Sequence, residues 1–250
     1  MTAVGIWLMG VGIADLVAGL SGEPARGPRS GVAIGAAFVS SLVLALVFGL
    51  GVASSLLLAL VAGGSVGGWI VARSRDGLSE GRATVALLYF LLVFVAIAGT
   101  ASLWPSATES VASHGIARLP FSRLAAAPAE QAALVSGVLL FLFATSNAIV
   151  RLVLTAVGTK FSPAEQRLRG GRIIGPIERL LIFGLGLAGQ PTAAALVISA
   201  KGLLRYPELA GMRSEPGSSA RTIDVVTEYL LIGSLTSWTL ALFPLVLVSG

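Results

Sequence analysis

From Ser30 to Ala72 the chain carries no Asp, Glu, Lys, Arg or His. No other feature limits the fold so strongly. A transmembrane helix needs about 20 apolar residues to cross a hydrocarbon core of about 30 Å, and this run holds enough for two. Gly49-Leu50-Gly51 lies near its centre and reads as a tight hairpin between spans over 32–50 and 53–72. Further apolar runs occupy 3–20, 83–104, 129–150, 174–204 and 225–248.

The composition agrees. Only 12% of residues are charged, 55% are hydrophobic and the mean hydropathy is +0.91, whereas soluble domains carry about 25% charged residues. The expectation is an all-α polytopic transmembrane helix bundle, with seven spans plus a re-entrant hairpin or eight spans. It forms a single integral membrane domain over 1–250. The first run lacks a basic leader and is interrupted by Asp15, so it reads as a retained span rather than a cleaved signal peptide.

The run 174–204 is the ambiguous one. As a single helix it would be about 46 Å long, and as two arms of about 15 residues each arm would be only about 22 Å. Charge separates the options. Basic residues number two in 21–31, three in 73–82, two in 105–128, six from Arg151 to Arg179 and four from Lys201 to Arg221. A single crossing divides them eleven to six, while a hairpin that returns divides them fifteen to two. Basic loops stay on the cytoplasmic side, so the return is preferred. Gly189-Gln190-Pro191 supplies the turn, with proline at the start of the second arm, where its missing N–H is harmless. Both termini then lie outside, and the Arg-rich, Ala-rich composition suggests a bacterial cytoplasmic membrane. The net charge of +5 is explained by this orientation, without nucleic acid.

Several chemistries are excluded. There is no cysteine, and His114 is the single histidine, so thiolate and multi-histidine metal sites are absent. No phosphate-binding P-loop, H-E-x-x-H or D-x-x-D motif occurs. A carboxylate site from Asp15, Glu178 and Glu228 is weak, and no metal or cofactor is expected.

The hairpin topology brings a set of polar residues toward one membrane face. Asp15 ends the first span, Asn147 and Arg151 close the fifth, Glu178 and Arg179 open the hairpin, Lys201 and Arg205 close it, and Glu228 opens the last span. Asn147 and Arg151 share a helix face, as do Lys201 and Arg205. Gly233, Ser237 and Ala241 form a small-residue stripe suited to close packing, which turns Glu228 toward protein. Arg26, Arg29, Arg73, Arg75, Arg82, Arg118 and Arg123 read as anchors that orient the helices. Trp7, Trp69, Trp104 and Trp238 read as an interfacial belt, and 209–222 as a flexible connector. Gly63, Gly64, Gly67 and Gly68 read as a helix-packing face.

Five motifs occur in order: "NAIVR" (147–151), "LRGGRIIGPIERLLI" (168–182), "LAGQ" (187–190), "AKGLLRYPEL" (200–209) and "EYLLIGSLTSWTLAL" (228–242). Over about 145–245 the chain resembles a family of bacterial membrane proteins, the C-terminal membrane half of those carrying the domain of unknown function 3307. Pro176 and Tyr206 depart from that pattern, and residues 1–140 carry no such resemblance. The resemblance implies a membrane protein and no particular reaction. It draws attention to the residues the topology brings together, with Arg172 added.

The functional expectation is binding or transport of an anionic solute or lipid head group at the cytoplasmic face. The site residues are Asn147, Arg151, Glu178, Arg179, Lys201, Arg205 and Glu228. Arg and Lys would bind the anion, and the carboxylates would hold those cations when the site is empty. One alternative is a lipid-modifying enzyme using Glu178 or Glu228 as base. Another is a non-catalytic scaffold in which the charges join helices. The expected partners are membrane lipids, an anionic small molecule or head group, and a second copy or partner subunit.

Overall fold

The computed structural model describes residues 1–19, 28–73, 79–106, 127–158, 171–214 and 220–249, without the side chains of 28, 171–172, 204–214, 220–226 and 249. Among the described residues every regular element is helical. Six helices among the described residues are long and apolar enough to cross a membrane. Contacts divide the chain into two compact units, Met1–Thr145 and Ser146–Gly250.

The first unit contains α1 (Thr2–Gly19), α2 (Pro28–Val47), α3 (Val52–Arg73), α4 (Glu80–Gly99) and α5 (Ala129–Leu140). A π-helical segment, Phe141–Thr145, continues α5. Helix α1 is its centre. Residues Thr2 to Gly12 are buried without a break, because α1 is apolar on every side and packs against neighbours all round. The crossing of α1 and α5 is made by glycine. A Cβ on Gly137 would come within 2.2 Å of the Gly5 carbonyl oxygen, so the two backbones touch. Gly63 and Gly67 of α3 face Phe38 and Ile34 of α2, as a small-residue face should. The outward faces stay apolar: Leu88, Leu91, Leu92 and Val95 of α4 are exposed, as lipid-facing residues are.

The turn between α2 and α3 falls at the expected place. Gly49 has a φ of 79°. Its N–H donates to the Leu46 carbonyl at 3.0 Å, and the Leu50 N–H donates to the Ala45 carbonyl at 2.9 Å. This is a Schellman cap, whose left-handed position favours glycine.

The second unit contains α6 (Ser146–Ala156), α7 (Gly171–Leu187), α8 (Pro191–Ser214) and α9 (Ala220–Ser249). The α7–α8 turn repeats the same device. Gly189 has a φ of 72°, its N–H donates to Gly186 at 3.0 Å, and the Gln190 N–H donates to Leu185 at 2.9 Å. Gln190 then accepts the first bond of α8 from the Ala194 N–H at 3.1 Å, with Pro191 as the opening residue. The chain thus reverses at Gly189-Gln190-Pro191. The arms are unequal, 17 residues in α7 and 24 in α8, and Pro191–Leu203 of α8 is an apolar stretch. The stretch 209–222, read from sequence as a connector, is helical at both ends. Helix α8 runs to Ser214 and α9 begins at Ala220.

The stripe on α9 is used as its spacing suggests. Ser237 and Ala241 are buried, and a Cβ on Gly233 would sit 3.7 Å from Leu154 of α6. Ile182 of α7, Ala194 of α8 and Ala241 of α9 form the small core of this unit.

Candidate functional site

The hairpin register decides which charges meet in the second unit. Glu178 lies nine residues before the end of α7, and Lys201 ten after the start of α8. At about 1.5 Å per residue both sit roughly 14 Å from the turn, so they face each other across the two arms. Lys201 Nζ donates directly to Glu178 Oε2. The other oxygen, Oε1, accepts from Trp238 Nε1 of α9 at 3.2 Å. One carboxylate from α7 is therefore held by donors from two other helices.

The adjacent Arg179 takes a different direction. Its guanidinium is buried, with 2% exposure. One nitrogen donates to Ser237 Oγ of α9 at 3.0 Å, and the other donates to Asn147 Oδ1 of α6. Gly175, one turn earlier on α7, leaves room beside it. A Cβ there would lie 3.6 Å from both the guanidinium and Asn147. Neighbouring residues Glu178 and Arg179 thus join α7 to all the other helices of the unit.

Four of the expected polar residues fall into two contacts, Glu178 with Lys201 and Arg179 with Asn147. Arg151 follows Asn147 by one turn and is exposed on α6. Glu228 is also exposed, near the start of α9, which corrects the expectation that the small-residue stripe turns it toward protein. It lies nine residues before Ser237, half a turn out of phase with the stripe. The side chains of Arg172 and Arg205 lie outside the described residues.

Asp15 belongs to a different site, in the first unit. Its Oδ1 accepts from Arg73 of α3, and its Oδ2 accepts from Trp69 Nε1 at 3.3 Å. Trp69 and Arg73 are one turn apart, and the guanidinium lies 5.0 Å from the indole centroid. Arg73 is therefore an ion-pair partner, beyond the anchoring role its place at a span end suggests. Arg26, Arg75, Arg118, Arg123 and His114 lie outside the described residues. Among those described, no group of three carboxylate or histidine side chains could hold a metal.

The tryptophans depart most from expectation. Trp7 and Trp69 are buried, at 1% and 2% exposure, and pack at tilted angles around Phe90, with ring centroids 5.5 and 5.1 Å away. They form the interior of the first unit rather than a belt. An indole in an apolar interior needs an acceptor for its N–H. Trp69 and Trp238 find carboxylates, and Trp7 donates to Ser65 Oγ at 2.9 Å. A further pattern, Gly63-Gly64-Ser65-Val66-Gly67, has the spacing of a hydrolase nucleophile elbow. The elbow requires a strand-to-helix turn, whereas Ser65 is in mid-helix and donates to the Ala62 carbonyl at 3.0 Å. It serves packing.

No protein-family model, curated protein or solved structure matches this chain.

Proposed function

We propose that this is a multi-pass membrane protein that binds or transports an anionic solute or lipid head group through the charged cluster of α6–α9. The observation that carries the reading is the Lys201–Glu178 contact between the two arms of the hairpin. The acid does not help orientation, and ionisable groups within spans are expensive and tend to serve function. Lys201 retains 19% exposure against 9% for Glu178, so the cation is the more accessible partner. Arg151 adds an exposed cation on α6. On this reading the hairpin enters from the cytoplasmic side and returns, the remaining basic loops share that side, and both termini lie outside a bacterial cytoplasmic membrane.

A non-catalytic scaffold is the second reading, and the Asp15–Arg73 pair favours it, since a similar contact joins helices far from the hairpin in sequence. An enzyme using Glu178 as base is less well supported, because both its oxygens are engaged.

The charge swap Glu178→Lys with Lys201→Glu separates the first two readings. A scaffold needs only opposite signs, so the swap restores folding and assembly. An anion site reads absolute sign, and the refolded swap then carries no anion. Native mass spectrometry of the swapped protein in detergent measures both. Retention of the wild-type anion in the folded swap would refute the site.

A further inference from the structure

The contacts of Glu178 say more about the ligand, on the reading that the hairpin holds an anion site. The donors come from separate helices, Lys201 Nζ on α8 and Trp238 Nε1 on α9, and each takes one carboxylate oxygen. Arg179 points elsewhere, toward Ser237 and Asn147. The two converging donors form a receptor for a planar pair of oxygens, and Glu178 fills it from within the chain. We propose that Glu178 is a built-in occupant of a carboxylate site, displaced when the carboxylate of a ligand takes its place on Lys201 and Trp238.

Occupancy from within lowers apparent affinity by the fraction of molecules in which the site is open. If the closed pair is favoured about ten to one, its removal tightens binding about tenfold. Glu178→Gln removes the charge while keeping the shape and an acceptor for either donor. Glu178→Asp keeps the charge but shortens its reach by one methylene. Lys201→Met removes the principal donor. The ligand carboxylate has two sources, a free acid or a lipid head group such as phosphatidylserine.

The test uses the full chain in phosphatidylcholine nanodiscs and radiolabelled propionate, the free counterpart of the Glu178 side chain. Glu178→Gln is expected to bind propionate about tenfold more tightly than wild type, Glu178→Asp more tightly by a smaller factor, and Lys201→Met not at all. A parallel set of nanodiscs with phosphatidylserine or phosphatidylglycerol identifies the source. Selective retention of phosphatidylserine by native mass spectrometry indicates a lipid ligand, and propionate binding without it indicates a free acid. Glu178→Gln and Glu178→Asp binding no tighter than wild type, while Lys201→Met loses an anion that wild type holds, would overturn the built-in occupant and leave the anion site standing. Inorganic phosphate displacing propionate at lower concentration would overturn the carboxylate class. Equal anion loads on wild type and Lys201→Met would overturn both this inference and the functional reading.

Discussion

The two units each hold a carboxylate between a basic side chain and an indole N–H, yet they hold it differently. In the first unit Asp15 is gripped by Arg73 and Trp69, which sit one turn apart on the same helix and stack on each other. The cation is fixed twice, by the carboxylate and by the ring. In the second unit Glu178 is held by Lys201 from α8 and Trp238 from α9. Lysine is a compact point charge on a flexible stem, and here the described partner is the carboxylate alone. The first arrangement suits a permanent clasp between α1 and α3. The second suits a contact that opens. The difference lies in which helices the partners come from and in the choice of Arg or Lys.

The comparison can be broken by substitution, and the largest effect is expected in the first unit. Arg73→Met leaves Asp15 buried without its cation and should cost about 3–5 kcal/mol, as lost partners of buried pairs do. Thermal melting in detergent measures it. Gly137→Ala comes next. Its Cβ would lie 2.2 Å from the Gly5 backbone, so α1 and α5 must part, at about 1–3 kcal/mol by the overpacking scale. Gly233→Ala in the second unit meets only ordinary contact at 3.7 Å and should change the melting temperature little. Trp69→Phe and Trp238→Phe each remove one bond to a carboxylate, an effect of about 1 kcal/mol by the scale of hydrogen bonds between membrane helices. Trp69→Phe should cost more, because it also weakens the ring beneath Arg73. The smallest effects are the sharpest. Arg73→Lys loses the stacked guanidinium and should destabilise by about 0.5–1 kcal/mol, whereas Lys201→Arg keeps its charge and should be near neutral. Equal losses for these two conservative changes would remove the distinction between the clasps.

The sequence was most informative where glycine and proline mark backbone reversals. Gly49 and Gly189 both adopt positive φ at the expected turns, because only a left-handed residue closes those helix ends without strain. The apolar runs located the helices for the same reason, that length and hydropathy are local properties. Partner choice was not legible. Asp15 shares an end-of-span position with the later carboxylates, yet it meets Arg73, since spacing along one helix does not reveal which helix stands beside it. Helix α1 is apolar on all sides, so periodicity marks no buried face. The tryptophans misled because an indole is satisfied equally by an interface or by a buried acceptor. The Trp69-x-x-x-Arg73 spacing was the available clue, since residues one turn apart can stack on each other and close on one acid. For Glu178 and Lys201 the hairpin register was the clue, as they lie eleven and twelve residues from Gly189.

The central claim is that Lys201 serves a ligand and Arg73 serves packing. Native mass spectrometry of wild type, Arg73→Met and Lys201→Met, purified identically, tests it most directly. The account predicts a defined anion on wild type and on the folded fraction of Arg73→Met, and its loss from folded Lys201→Met. The same load on all three proteins, or loss from both variants alike, would contradict it.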